Sequence, residues 1–193
     1  MERAVPTPPS RRKALPTPRD PWDETFDVVV IGSGFAGLSA AIEAREAGRS
    51  VVILEKMRVP GGNSAISGGM FAVVGSPLQR AAGIQDSPEL LAADMMRAGQ
   101  GLNQPDLVRT VAGQSLEAFL WTRDHLGVAF EAEIIHGGGH SLPRTHITPS
   151  CSGAAIVQAM LVKCRELGIP LRMQWALQGL VRGPSGRVEG LIL

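Results

Sequence analysis

The clearest hydrophobic pattern in the chain lies in residues 26–55, which read FDVVVIGSGFAGLSAAIEAREAGRSVVILE. Four apolar residues at 28–31 lead into the six residues GSGFAG, and a stretch rich in small and apolar residues follows. A second apolar run at 51–54 ends at Glu55. Short apolar runs bounded by glycines are typical of buried parallel strands. The segment therefore predicts a strand, a glycine turn, a helix and a second strand.

The three glycines of this turn have the GxGxxG spacing that is found in dinucleotide-binding proteins. Gly32 allows a sharp turn, Gly34 lets a diphosphate approach the backbone, and Gly37 lets the helix pack close to the sheet. The N-terminus of the helix carries unpaired N–H groups that attract a diphosphate. Glu55, 18 residues after Gly37, is placed to accept hydrogen bonds from a ribose. A glycine turn without a ligand is the alternative, but the strand and helix context favours a dinucleotide.

Helices and strands alternate along the rest of the chain, which predicts an α/β, Rossmann-like domain with inserted helices. The inserted helices are predicted at 87–100, after the cap Ser87, and at 105–126. Asp94 is assigned there to a solvated helix face. Further elements are expected at 128–135 (strand), 153–167 (helix), and 170–174 and 187–193 (strands of a C-terminal β-meander).

Composition and charge exclude several classes of protein. The chain has 193 residues, of which 44% are hydrophobic and 19% charged, as in a soluble globular domain. Its net charge of +1 predicts no nucleic-acid partner and no anionic membrane partner. No apolar run reaches the length of about 18 residues that a membrane span needs. The two cysteines, Cys151 and Cys164, do not make a disulfide framework, so we expect reduced thiols and a cytoplasmic location.

The beginning of the chain differs in composition from the rest. Residues 1–25 are rich in proline and arginine, with six prolines in the first 21 residues, and contain no apolar segment. We predict a disordered leader there. The domain is expected at 26–193, with the start of a substrate-side region at about 76–150.

A second glycine-rich stretch follows Glu55 and Lys56. It contains two glycine pairs, at 61–62 and 68–69, and small polar side chains between them. Bare backbone and short hydroxyl or amide side chains can line a flat ligand and donate hydrogen bonds to it. An ordinary glycine-rich turn is the alternative.

The sequences GSGFAG, LEK and GGNSAISGG together resemble the fumarate reductase/succinate dehydrogenase flavoprotein superfamily, in particular its flavocytochrome-c-like and 3-ketosteroid-dehydrogenase-like members. The resemblance implies that these segments bind FAD. It also implies non-covalent binding, because members that attach FAD covalently do so through a histidine, and this chain has none before His125. The implied FAD-binding residues are Gly32, Ser33, Gly34, Ala36, Gly37, Glu55, Lys56, Gly62, Asn63, Ser64, Ser67, Gly68 and Gly69.

Three of the four histidines lie within eleven residues, in the loop HGGGHSLPRTHITPSCSG at 136–153. A zinc site is disfavoured, because the loop contains no Asp or Glu and its one cysteine lies beyond a proline. We therefore predict no metal. A plain surface loop and an anion-binding or substrate-facing loop remain, and the histidines, the arginine and the hydroxyl groups favour the latter.

The family resemblance implies a substrate-contacting histidine in this region, followed by a hydroxyl residue that begins a helix. The best match is His140 with Ser152, and Arg144 and His146 are weaker matches. The chain departs from the family in two ways. A glutamate follows the hydroxyl residue in fumarate and succinate enzymes, where this chain has Gly153. The proton-donating arginine of fumarate reductases is expected near Ala176 or Leu177, and neither is an arginine.

The resemblance covers residues 26–193 but only the front of a family member, so we expect the chain to be truncated relative to the family. The predicted function is that of an FAD-dependent oxidoreductase acting on a CH–CH bond next to a carbonyl or carboxylate of a small-molecule substrate. Its electron partner is not identified by the sequence. Two alternatives stay open: a non-catalytic, truncated FAD-binding fragment, and an NAD-dependent dehydrogenase.

Overall fold

The computed structural model describes residues 22–193. It contains both helices and strands, and a π-helical turn at Trp121–His125 follows the fifth helix. In chain order they are β1 (Val28–Ile31), α1 (Phe35–Glu46), β2 (Val51–Glu55), α2 (Gly62–Ala65), β3 (Met70–Ala72), α3 (Pro77–Ala81), α4 (Pro88–Ala98), α5 (Pro105–Leu120), β4 (Thr145–Ile147), α6 (Ala154–Glu166), β5 (Leu171–Met173), β6 (Gly179–Arg182) and β7 (Val188–Ile192).

The centre of the fold is a parallel three-stranded sheet in the order β1-β2-β5. Val28 of β1 pairs with Val51 of β2, and Ile53 of β2 pairs with Leu171 of β5. All five residues of β2 are buried, which is why its sequence is continuously apolar up to Glu55. Helices α1 and α6 pack against each other and against this sheet. The main core therefore lies between these two helices and the sheet.

Helix α1 lies close to the strand it follows because it begins with small residues. A Cβ atom on Gly37 would lie 2.1 Å from the carbonyl oxygen of Gly32, so only glycine fits there. Gly32 itself has a φ of +96°, which permits the sharp turn after β1. The expected functions of these two glycines in the turn are thus confirmed.

The helices α3, α4 and α5 form the inserted region between β3 and β4. Serine hydroxyls cap α3 and α4: Ser76 accepts from the N–H of Gln79, and Ser87 accepts from the N–H of Leu90. Helix α5 ends at Leu120, earlier than predicted, and the chain continues as the π-helical turn. Gly127, with a φ of +70°, ends this region.

Two strand predictions are corrected by the structure. Residues 128–135 are not a strand, since they contribute only an isolated bridge from Ile135 to Thr145. The three-residue strand β4 lies further along and pairs with β3 instead. The C-terminal meander is a two-stranded hairpin of β6 and β7, because β5, expected beside them, joins the parallel sheet through β2.

The predicted leader falls mostly on residues 1–21, which lie outside the described residues. Residues 22–25 were assigned to it as well, but they pack against the domain. Glu24 forms two hydrogen bonds with Arg172, of 2.7 and 2.6 Å, and the Trp22 ring lies against Gly190. Residues 22–25 therefore contact the domain that was predicted to begin at residue 26. No helix between residues 22 and 193 combines the length and the hydropathy that a membrane crossing requires.

Candidate functional site

Glu55 connects the end of β2 to the glycine turn. One of its carboxylate oxygens, Oε2, accepts hydrogen bonds from the N–H of Ser33 (2.9 Å) and from the Ser33 hydroxyl (2.6 Å). The other, Oε1, accepts from the N–H of Met57 (2.9 Å). Burial favours a raised pKa for Glu55, but the donors Ser33 and Met57 outweigh it and lower the pKa below its ordinary value. Glu55 is therefore a carboxylate at neutral pH, with acceptor capacity left on Oε1.

The first turn of α1 has the properties of a diphosphate site. It contains no acidic residue, and in the described part of the chain no oxygen accepts from the N–H groups of Ala36 or Gly37. The N–H of Phe35 is held by the Ser64 hydroxyl at 3.0 Å. On Gly34, a Cβ would lie 3.2 Å from that hydroxyl, so a side chain there would crowd the turn. Open backbone donors at a helix N-terminus fit a diphosphate.

The second glycine-rich stretch lies beside this turn. Gly61 and Gly62 have φ values of +103° and +49°, and they lead into the short helix α2. Ser67 donates to the carbonyl oxygen of Ser64 at 2.9 Å. The predicted cofactor residues with exposed positions in this area are Ala36, Lys56, Gly62, Asn63, Ser67 and Gly68.

The N-terminus of α6 packs tightly against the same stretch. A Cβ on Gly153 would lie 2.1 Å from the carbonyl oxygen of Ser64, and a Cβ on Gly69 would lie 2.6 Å from the carbonyl oxygen of Ser152. The Ser152 hydroxyl accepts from the N–H of Ala154 at 3.2 Å, so it binds the first turn of α6, with Gly153 between them as the N-cap. Position 153 therefore has no room for the glutamate side chain found in fumarate and succinate enzymes.

A cavity of about 540 Å³ lies between the inserted helices and the pair formed by α1 and α6. Most of its wall is apolar, and among its lining residues His140 is the one with an ionisable imidazole, carboxylate, ammonium or guanidinium group. Burial lowers the pKa of His140, and the positive charge of Arg144 lowers it further. Its remaining lining residues are Phe35, Ser39, Ser67, Gly69, Met70, Phe71, Ala72, Leu91, Met95, Val111, Ala118, Trp121, Thr122, Ile156 and Met160.

Arg144, which was predicted to position a substrate, is paired with carboxylates inside the protein. The Arg144 side chain is fully buried and forms ion pairs with two carboxylates from the inserted region. Its Nε and Nη2 atoms each donate to Asp86 at 2.8 Å, and Nη1 donates to Asp94 at 2.6 Å. Arg144 therefore joins the loop before β4 to two places in the inserted region. Asp94 lies in helix α4, and Asp86 lies in the segment just before α4.

Ser33, which was predicted to bind the cofactor, is also paired within the protein. Ser33 is fully buried, and both its N–H and its hydroxyl donate to Glu55. The hydroxyl oxygen also accepts from the N–H of Gly61 at 3.0 Å. Ser33 therefore holds the two glycine-rich stretches and Glu55 together.

Sequence reasoning missed the carboxylates that hold Arg144. Asp94 was assigned to a solvated face, yet its side chain is buried and its Oδ2 also accepts from the N–H and the hydroxyl of Ser141. Burial would raise the pKa of Asp94, but the donors Ser141, Arg144 and Arg97 outweigh it and hold the pKa far below its ordinary range. The helical spacing of Asp94 from the buried Leu91, three residues earlier, was the available indication.

The three histidines of the loop do not converge. His136 Nε2 lies 2.6 Å from the carbonyl oxygen of His140, and His146 is buried 4.4 Å from the Phe119 ring centroid. Within residues 22–193 neither ring nitrogen of His146 has a hydrogen-bond partner, and burial lowers the pKa of His146 to about 4. Among residues 22–193 no three or more His, Cys, Asp or Glu side chains form a group suited to a metal ion.

Comparisons with known proteins agree with this geometry. A family described as FAD binding domain matches residues 27–193. The acrylate reductase flavoprotein subunit of Shewanella woodyi is 42% identical over 171 residues, which are 88% of this chain and 34% of the relative. The fumarate reductase (cytochrome) of Shewanella frigidimarina is 34% identical over 175 residues, which are 88% of this chain and 30% of the relative. The chain thus spans about a third of the length of the curated relatives it matches.

Solved structures show the same similarity. The open conformation of a flavocytochrome c3 fumarate reductase superposes with a TM-score of 0.82 at 33% identity, covering 88% of this chain and 30% of that one. The 3-ketosteroid-delta4-(5alpha)-dehydrogenase of Rhodococcus jostii superposes with a TM-score of 0.74 at 28% identity, covering 89% of this chain and 42% of that one. The chain therefore belongs to the FAD binding domain family, together with fumarate, acrylate and urocanate reductases and 3-ketosteroid dehydrogenases.

Proposed function

We propose that this chain is the FAD-binding part of an FAD-dependent oxidoreductase that acts on a CH–CH bond next to a carbonyl or carboxylate. The observation that carries the proposal is the first turn of α1, with open N–H groups at Ala36 and Gly37, beside the buried carboxylate of Glu55. These groups fit the diphosphate and a ribose of a dinucleotide. Bound FAD supplies hydride exchange with a substrate carbon.

The residues of the chain have separate roles in this proposal. Ala36 and Gly37 bind the diphosphate through their N–H groups, and Oε1 of Glu55 accepts a hydrogen bond from a ribose hydroxyl. Ser33 keeps Glu55 in place. The rest of the cofactor is lined by Lys56 and by residues of the second glycine-rich stretch. Those residues are the exposed Gly62, Asn63, Ser67 and Gly68, with Ser64 and Gly69 beside them.

His140 is the proposed substrate-positioning residue, because it is the ionisable group on the wall of the cavity. Its lowered pKa keeps the imidazole neutral at neutral pH, and a neutral imidazole can donate one hydrogen bond to a carbonyl oxygen. Ser152 lies at the N-terminus of α6 and would orient the first turn of that helix through its contact with Ala154.

Non-covalent attachment is also proposed. Of the histidines, His136 is held against the carbonyl oxygen of His140, His146 is enclosed beside Phe119, and His125 contacts Glu46 at 3.0 Å. His140 is the remaining candidate for a covalent bond. Denaturation with acid should release all of the bound flavin into the supernatant. Flavin that remains with the precipitated protein would contradict non-covalent binding.

Titration of the purified 193-residue chain with FAD tests the cofactor proposal. We expect saturable quenching of flavin fluorescence and a protein-bound flavin spectrum, with no comparable binding of NADH. A chain that stays colourless after incubation with FAD would overturn the proposal, and saturable binding of NADH without FAD would favour an NAD-dependent dehydrogenase. Flavin uptake without turnover of unsaturated acids or ketones would favour a non-catalytic FAD-binding fragment. That alternative is considered because the chain spans about a third of the length of its relative.

Localisation in the cytoplasm is a further proposal. It rests on the two cysteines, which are both free, Cys151 exposed and Cys164 buried. Fractionation of the source cells with an antibody against the chain would test it, and recovery from an extracytoplasmic fraction would contradict it.

A further inference from the structure

The cluster of Arg144, Asp86, Asp94 and His140 has a consequence for the chemistry of the cavity. Arg144 lies immediately before β4 and points away from solvent, with its side chain fully buried. Asp86 holds Nε and Nη2 in a bidentate pair, and Asp94 holds one hydrogen of Nη1. The Nη1 atom also lies 3.4 Å from Nδ1 of His140, within hydrogen-bonding distance. The guanidinium is thus held rigidly by two carboxylates while it contacts the imidazole.

We propose that Arg144 is a positioning residue that fixes His140 in the tautomer with the proton on Nε2, so that the ring offers an N–H donor to a carbonyl oxygen in the cavity. A guanidinium is always protonated and has no acceptor, so a ring nitrogen that faces it must be unprotonated. In a neutral imidazole the other nitrogen then carries the hydrogen. The proposal rests on the proposed function, because it says which nitrogen of His140 donates a hydrogen bond to the substrate in that cavity.

The position of the ring supports this assignment. A Cβ on Gly137 would lie 2.9 Å from Cδ2 of His140 and 3.6 Å from Nε2, so the ring edge opposite Arg144 rests over a bare backbone. In the described part of the chain, Nδ1 has the Arg144 contact and Nε2 has no protein partner. The ring lines the cavity, which leaves Nε2 as the nitrogen available to a bound molecule.

The charges around His140 favour the neutral ring. Burial and the guanidinium of Arg144 disfavour the protonated form, and His136 acts in the same direction. Asp94 and Asp86 act in the opposite direction, but both already pair with Arg144. The neutral donor is suited to a carbonyl or carboxylate oxygen, which can only accept.

Nitrogen-15 spectra of the histidine rings test the proposal directly in the full 193-residue chain. The His140 signals are assigned by their loss in the His140→Gln variant. At neutral pH we expect one tautomer, with a non-protonated Nδ1 and a protonated Nε2. A protonated Nδ1, or an averaged signal from both tautomers, in the wild-type chain would overturn the proposal.

A double variant tests whether Arg144 is the cause. Arg144→Met with Asp86→Leu removes the buried pair together and leaves Asp94 with Arg97 and Ser141. We expect the His140 pKa to rise and the ring to sample both tautomers. The matched control, Arg109→Met with Asp106→Leu, removes an exposed pair and should leave the His140 spectrum unchanged.

The outcomes separate this proposal from the proposed function. Failure of the wild-type chain to bind FAD would contradict the function, whereas the tautomer is measured without any cofactor. FAD binding together with the opposite tautomer would contradict only the proposal for Arg144. A His140 spectrum identical in the Arg144→Met/Asp86→Leu variant and in the wild type would also overturn it. If that variant loses the dispersed amide signals of a folded chain, the wild-type tautomer decides alone.

Discussion

The Ser33 hydroxyl donates a 2.6 Å hydrogen bond to Glu55, which joins the glycine turn to the end of β2 although the two residues are 22 positions apart. The same hydroxyl accepts from the N–H of Gly61. One buried serine thus sets the relative positions of both glycine-rich stretches and of the acid between them.

Replacement of Ser33 by alanine should therefore weaken both the fold and the binding of FAD. It removes one of the donors to the buried carboxylate of Glu55 and leaves the buried N–H of Gly61 without its acceptor, a loss of about 1–3 kcal/mol. Denaturant unfolding and FAD titration measure the two effects. The control Ser39→Ala changes a half-buried serine of the same region and should alter stability by less than about 0.5 kcal/mol. Equal stability of the two variants would contradict the role of Ser33.

Gly37→Ala should abolish tight FAD binding, because its Cβ would lie 2.1 Å from the Gly32 carbonyl oxygen and push α1 away from β1. The first turn of α1 would then be displaced from the diphosphate. Gly113→Ala is the matched control, since its Cβ would meet no atom within 4 Å in the middle of α5. The control should raise stability by up to about 1 kcal/mol through helix propensity. Unchanged FAD affinity in Gly37→Ala would contradict the close-packing argument.

The buried His146 should make the domain less stable in mild acid. Burial lowers its pKa to about 4 in the folded state, from an ordinary value of 6.5. Between these values the unfolded chain binds a proton that the folded chain does not, so the free energy of unfolding falls as the pH falls. The full effect corresponds to about 3 kcal/mol and is reached near the folded pKa.

The variant His146→Phe should lose that part of the pH dependence. A phenyl ring retains contact with Phe119, carries no unsatisfied nitrogen and does not titrate. Urea unfolding at a series of pH values measures the slope. His125→Gln, at a partly exposed site, should keep the acid-dependent loss of the wild type. If the His146→Phe variant loses as much stability in acid as the wild type, other titratable groups cause that loss.

Replacing Arg144 alone should lower the stability of the fold more than replacing Arg144 and Asp86 together. Arg144→Met leaves two buried carboxylates without their shared cation, at a cost of about 3–5 kcal/mol. Adding Asp86→Leu should recover part of this loss, since Asp94 still pairs with Arg97 and Ser141. The recovery is incomplete because the N–H of Ser87 and the amide of Gln79 also donate to Asp86 and lose that acceptor. Thermal unfolding of the two variants gives the comparison. A double variant no more stable than the single one would contradict the pairing as the source of the loss.

Much of the fold could be predicted because its signals are local. The apolar run before GSGFAG, the apolar run before Glu55 and the Ser87 cap each depend on neighbouring residues, and the structure has β1, β2 and a capped α4 there. The run at 128–135 misled the prediction because a strand needs a partner. Its neighbour β4 pairs with β3, and the run keeps only a bridge at Ile135.

The sequence by itself determined that a dinucleotide-binding turn is present and which residues surround it, because GxGxxG, the following helix and Glu55 act over short distances. Only the tertiary structure decided which polar side chains are paired inside the protein. Ser33 and Arg144 have the same chemical groups whether they contact a ligand or are buried, and their environment depends on residues 22 to 58 positions away. Pairing with Glu55, Asp86 and Asp94 satisfies their donors inside the protein, and burial then follows.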